Sequence, residues 1–163
     1  MNERKGYRLL LEALGRESEL FLLLAGESTD RIPEAALHGR GRTLGWSARL
    51  ERFFAACDVV IVPSAFDPCP LAVLDAVAHG VPVIATVGVG NLPTLLRFGA
   101  GVEWQQGTPL VPCIQRLTQR RDATTEAALA MARALSEQEQ TARLVRIYDE
   151  IRQAKPRRAA TAT

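Results

Sequence analysis

Histidine, cysteine and lysine are all scarce in this chain. Only two histidines (His38, His79) and three cysteines (Cys57, Cys69, Cys113) occur among 163 residues. No two cysteines form a C-x-x-C pair, which argues against a zinc site, and no other metal site is expected. An odd, sparse cysteine count also argues against a disulfide framework and points to a reducing cytoplasm. Lys5 and Lys155 are the only lysines, so arginine carries nearly all the positive charge, and the formal net charge is +2. That balance argues against a nucleic-acid partner. No apolar run approaches the ~18 residues of a membrane span. The start, MNERKGYRLL, lacks the apolar block of a signal peptide. A peripheral membrane contact stays open. There is no internal repeat and no Walker-A pattern.

What is present reads as a soluble globular chain, 47% hydrophobic and 23% charged, of a length suited to one domain. We expect that domain to span 1–154, with a disordered basic tail over 155–163 (KPRRAATAT). Leu10, Leu11 and Leu14 give the stretch from Gly6 to Leu14 helical spacing. The run from Leu20 to Ala25, closed by Gly26, reads as a buried strand. A short helix is expected at Glu34–Leu37 and a very short strand at Thr43–Gly45. Ser47 is placed to cap a helix to about Ala56, with Leu50, Phe53 and Phe54 as its apolar stripe. Further on we expect a helix near Thr94–Phe98, a strand at Val102–Trp104, and helices over about Val111–Gln119, Thr125–Leu135 and Glu137–Gln153. Strands alternating with helices predict an α/β fold, a Rossmann-like parallel sheet flanked by helices.

The richest stretch runs from Asp58 to Gly90. The apolar run Val59–Val62 ends in Pro63-Ser64, a loop carries Asp67, and a mostly apolar helix from Pro70 to His79 carries Asp75. A second apolar run, Val81–Ala85, leads into a glycine-spaced loop. In parallel α/β sheets ligands bind where strands end and helices begin, and both carboxylates lie near such a point. A helix this apolar is expected to be buried, so Asp75 needs a partner or a ligand; a vicinal diol such as a ribose would serve. The free N–H groups and positive dipole end of the same helix favour a phosphate. A nucleotide-sugar fits that chemistry.

The order Phe66-Asp67-Pro68-Cys69-Pro70-Leu71…Leu74-Asp75-Ala76…Gly80-Val81-Pro82-Val83-Ile84-Ala85 resembles the donor-binding signature of retaining glycosyltransferases of the GT-B fold, especially glycosyltransferase family 4, with its Glu-x7-Glu pair. Arg4-Lys5-Gly6, Leu22–Gly26, Leu44-Gly45 with Cys57-Asp58, and Gly88–Pro93 resemble further family segments in the same order, over about 150 residues. The resemblance implies a C-terminal, donor-binding GT-B half-domain that takes a nucleotide-diphospho-sugar as substrate and needs no cofactor. By the same match Asp67 corresponds to the residue facing the donor sugar at the reacting carbon, so it is the catalytic candidate. Asp75 corresponds to the ribose-binding carboxylate, and Lys5 and the Leu71 N–H to diphosphate contacts. Gly45 is the remaining donor-binding candidate.

The chain also departs from that family. Both glutamates are aspartates, Pro70 replaces a glycine and so removes one N–H donor, and Thr94 replaces a glutamate. The resemblance implies a missing first strand with its arginine, and a missing acceptor-binding domain. The acceptor partner is then a separate domain or subunit, and the isolated chain is expected to be inactive without it. The alternative is a non-catalytic or degenerate nucleotide-binding or interaction module; a nucleotide-sugar epimerase half-domain is a weaker one. Individual residues have plainer readings as well. Asp67 would cap the helix, Asp75 would pair with an arginine, Lys5 would be solvated, and His79 would meet its helix's last carbonyls. Cys69 would be buried and inert rather than a reactive thiol.

Overall fold

The computed structural model describes residues 3–27, 29–46 and 50–154. The chain divides into two compact units, Met1–Ala132 and Arg133 onward. In the first unit a 3₁₀ turn (Glu3–Lys5) leads into helix α1 (Tyr7–Arg16) and strand β1 (Leu22–Leu24). Two more 3₁₀ turns, Thr29–Arg31 and Glu34–Leu37, precede β2 (Gly41–Thr43) and α2 (Leu50–Ala55). Then come β3 (Val60–Val62), α3 (Leu71–Ala78), β4 (Val83–Ala85), α4 (Leu92–Phe98), β5 (Gly101–Glu103) and α5 (Val111–Thr118). Helix α6 (Arg121–Ala134) crosses into the second unit, which holds α7 (Glu137–Ala154).

Every strand pairing is parallel. β1 lies beside β2, and β3, β4 and β5 form a second ladder in that order. Helix α3 packs on β3 and β4, and α4 and α5 pack on β5. This is the expected parallel α/β architecture flanked by helices. β4 has one apolar residue after another because it is enclosed on both faces; Val83, Ile84 and Ala85 are all fully buried. Helix α1 turns Leu10, Ala13 and Leu14 inward, the spacing of one helical face.

Several details differ from the expectation, among them α6 starting at Arg121 rather than near Thr125. The sheet is not continuous, because among the described residues no pairing joins β1 to β3. The strand expected at Thr43–Gly45 ends at Thr43, since Gly45 takes a left-handed conformation (φ 58°) that a strand does not accommodate. Helix α4 begins two residues before Thr94, as proline is tolerated in a first helical turn and Pro93 sits there. Ser47 and the 155–163 tail lie outside the described residues.

Candidate functional site

Three short segments are tied together at the carboxyl end of β3. The first is the 3₁₀ turn at Glu3–Lys5: the Ala65 N–H donates to the Arg4 carbonyl at 2.9 Å. Gly6 makes this approach feasible. Its φ is +71°, and a Cβ there would lie 2.0 Å from the Pro63 carbonyl oxygen. The Lys-Gly pair of the sequence thus has a steric reason: glycine lets the chain pass against β3's end and leaves Lys5 at the loop.

The second and third segments are the loops after β3 and β4, zipped by backbone hydrogen bonds. The Asp67 N–H donates to the Gly88 carbonyl at 2.8 Å, and the Gly90 N–H donates to the Asp67 carbonyl at 2.9 Å. The Thr86 hydroxyl adds a 2.6 Å bond to the Ser64 carbonyl. A Cβ on Gly88 or Gly90 would lie 2.1 Å from the Ala65 oxygen or 2.0 Å from the Pro68 oxygen. The Gly88-Val89-Gly90 spacing serves this loop-to-loop contact.

Asp67 is 8% exposed, and its carboxylate accepts from the Lys5 ammonium. Lys5 keeps about half its side chain, 51%, in solvent. Asp67 does not cap α3: Pro70 occupies the N-cap and no side chain caps the helix. The Val73 N–H turns back to the Pro70 carbonyl at 3.1 Å, leaving the Leu71 and Ala72 N–H groups without a partner among the described residues. Leu71 is 70% exposed, so solvent reaches this helix end.

Asp75 sits differently from expectation. α3 is not enclosed: Leu71, Ala72 and Ala78 are exposed and Asp75 is half-buried. The argument that Asp75 must be neutralised by a partner therefore falls away. No arginine pairs with it, and among the described residues no hydrogen bond or ion pair reaches its carboxylate. It lines a large groove together with Ala72. Gly45 follows β2, where its carbonyl accepts from the Gly26 N–H at 2.8 Å. The structure thus joins Lys5 to Asp67; among the described residues no hydrogen bond or ion pair ties Asp75 or Gly45 to that pair.

His79 meets its helix's last carbonyls, with Nδ1 2.8 Å from the Asp75 carbonyl oxygen, and its ring stacks on Phe54 at 4.8 Å. Cys69 is exposed rather than buried, 3.9 Å from the Asn91 amide nitrogen. Among the described residues no group of three or more His, Cys, Asp or Glu is placed to hold a metal. No helix among them is long and apolar enough to cross a membrane.

Sequence reasoning missed the buried Asn91, whose Oδ1 has no partner. It also missed Glu17, whose carboxylate accepts from the Leu110 N–H at 2.8 Å and the Val111 N–H at 2.7 Å and so caps α5. Those partners lie more than 90 positions away, beyond any local signal. Asn91 had one available cue, a polar residue between a glycine loop and an apolar helix.

A sequence model described as glycosyl transferases group 1 matches residues 1–135. Among curated relatives, a lipopolysaccharide core biosynthesis glycosyltransferase, LpsE of Rhizobium meliloti, is 33% identical over 94 residues, 54% of this chain and 28% of its own length. Glycogen synthase 2 of Bradyrhizobium diazoefficiens is 40% identical over 107 residues, 59% of this chain and 22% of its own. The chain thus spans roughly a quarter of the curated relatives it matches. Among solved structures, a Rickettsia africae glycosyltransferase superposes with a TM-score of 0.77 at 19% identity, covering 95% of this chain and 46% of that one. Anabaena HepE, solved in complex with UDP, superposes at 0.69 and 21% identity, with 94% and 46% coverage. These structural likenesses carry the fold, that of GT-B glycosyltransferase fragments. With its model matched over most of the length, the chain belongs to the glycosyl transferases group 1 family.

Proposed function

We propose that this chain is the donor-binding half of a retaining glycosyltransferase that uses a nucleoside-diphosphate sugar. The observation that carries the reading is Lys5 held on the nearly buried Asp67 carboxylate, in the loop that leads to a helix start with two unengaged N–H groups. When the sugar–phosphate bond breaks, negative charge builds on the departing diphosphate. A half-exposed ammonium and helix N–H groups stabilise that charge in place and need no rearrangement. Asp67, fixed by bonds from both its N–H and its carbonyl, faces the donor sugar. The unpartnered carboxylate of Asp75 accepts from the ribose hydroxyls. That solved relatives such as HepE carry UDP or UDP-glucose supports the donor class. The acceptor is then held by a separate domain or subunit, and three free cysteines suit a cytoplasmic setting.

A second reading, a non-catalytic nucleotide-binding module, draws on the same pair, because Asp67 already neutralises Lys5. One experiment separates the readings from an empty site. UDP, GDP or ADP should raise the melting temperature of the chain, Lys5→Met should shrink that rise, and Asp75→Ala should remove it. No shift with any of the three diphosphates sinks the donor-site reading. Among proteins that do bind, sugar transfer on addition of an acceptor-binding partner supports the enzyme, and its absence supports the module.

A further inference from the structure

The Lys5–Asp67 ion pair is lopsided. Asp67 keeps 11% of its side chain in solvent, whereas Lys5 keeps about half, 51%. Asp67 is also the fixed partner. Its N–H donates to the Gly88 carbonyl and its own carbonyl accepts from the Gly90 N–H. Gly88 and Gly90 lie so close to the Ala65 and Pro68 carbonyls that a Cβ would clash. Lys5 is the movable partner, a point charge on a flexible four-carbon stem at the end of the 3₁₀ turn. The loop runs on from Asp67 through Pro68, Cys69 and Pro70 to the unengaged Leu71 and Ala72 N–H groups. A phosphate at those groups competes with Asp67 for the same ammonium.

We propose that Lys5 changes partners, leaving Asp67 for the donor diphosphate, and that this exchange lets the site tell an intact nucleoside-diphosphate sugar from a free nucleoside diphosphate. The inference rests on the donor-site reading and adds a cost that the two ligands meet differently. A nearly buried carboxylate that loses its cation is left uncompensated, which is strongly unfavourable. The intact donor offsets that loss, because a sugar hydroxyl donates to the vacated carboxylate. The free diphosphate brings no hydroxyl to that place, so Lys5 is drawn back to Asp67 and the grip on the phosphates loosens. A site built around a ligand hydroxyl discriminates strongly against a ligand that lacks it. The spent diphosphate is thus expelled by the same carboxylate that received the sugar. The competing arrangement is a lysine that bridges both anions at once, since an ammonium has three N–H donors. Asp67 would then hold Lys5 ready for phosphate and help the free diphosphate to bind.

The sign of one isosteric substitution separates the two arrangements. Calorimetric titration with UDP, GDP and ADP compares the unmodified chain with Asp67→Asn. For the diphosphate that binds, Asp67→Asn should bind several-fold tighter, because Lys5 is released, and Lys5→Met added to it should cancel the gain. Among the glucose, galactose, mannose and N-acetylglucosamine conjugates of that diphosphate, at least one should bind the unmodified chain about ten-fold tighter than the diphosphate alone. Asp67→Asn should bring that ratio close to one. Should Asp67→Asn fail to fold, the Asp67 carboxyl carbon resonance of the unmodified chain decides, since it should move as the diphosphate saturates. Weaker or unchanged diphosphate binding by Asp67→Asn overturns the exchange and leaves the donor site standing. A gain that survives Lys5→Met, a stationary carboxyl resonance, or a chain that prefers none of the conjugates overturns it equally. No binding of any diphosphate or conjugate to either protein removes the donor-site reading and the exchange with it.

Discussion

β4 and β1 are both three-residue apolar strands, Val83–Ala85 and Leu22–Leu24, yet β4 is buried at every residue while β1 is buried only at Leu24. Composition does not separate them; neighbours do. β4 has a strand on each side and helices packed against its ladder, so its side chains and backbone groups are all used. Among the described residues β1 has one strand beside it, and it lines a groove. The loops repeat the contrast. Those after β3 and β4 are zipped by backbone bonds and pressed together through glycines, whereas the segment after β2 leads into Trp46, 83% exposed at the groove. One side of the unit is a closed core carrying the Lys5–Asp67 pair; the other borders a groove.

The largest expected effect comes from truncating matched residues on the two sides. Ile84→Ala should cost about 3 kcal/mol, the usual range for a fully buried isoleucine. Leu23→Ala, half-exposed on an open edge, should cost about 1 kcal/mol, since little area leaves water there. Urea denaturation of both variants measures the gap, and equal costs would break the comparison. Next is Gly88→Ala, which forces a Cβ onto the Ala65 carbonyl and should cost about 2 kcal/mol, with loss of nucleotide-induced stabilisation because the Asp67 loop shifts. A smaller loss of about 1.5 kcal/mol should follow Glu17→Gln, as charge-assisted bonds to the α5 N–H groups become neutral ones. The smallest effect is chemical. Burial, reinforced by the neighbouring Asp58 carboxylate, holds the Cys57 thiol above its ordinary range, and burial likewise raises Cys113. Iodoacetamide at mildly alkaline pH should therefore modify exposed Cys69 first and these two later, which peptide mass mapping would show. A raised folded-state value also means that stability from these thiols is intact below the ordinary cysteine range and declines as pH climbs past it.

Element types were legible wherever apolar spacing carried them. The runs Leu20–Ala25, Val59–Val62 and Val81–Ala85 read as strands because they are short, apolar and bounded by glycine or proline, and each holds a three-residue strand. The Asp67 loop was legible through its order of residues, and the reading that His79 meets its helix's last carbonyls needed only its place at a helix end. What escaped was set by distance in sequence or by absence. Nothing near Glu17 announces α5, and nothing in the Leu20–Ala25 run says that, among the described residues, its strand pairs on one side alone. The enclosure of α3 was misjudged because Leu71, Ala72 and Ala78 are apolar yet solvent-facing, and apolar residues outside are common. The reason for Gly6, Gly88 and Gly90 likewise lies in backbone contacts across the fold, which spacing alone does not reveal.

The central claim is that Lys5 and the first turn of α3 form a diphosphate cradle beside Asp67. The most direct measurement is a titration of the isotope-labelled chain with UDP, GDP or ADP, following backbone amide shifts residue by residue. The account predicts saturable shifts led by Leu71 and Ala72, weakened in Lys5→Met. Shifts that leave those two amides unmoved while other regions respond, or a Lys5→Met chain that titrates like the parent, would contradict it.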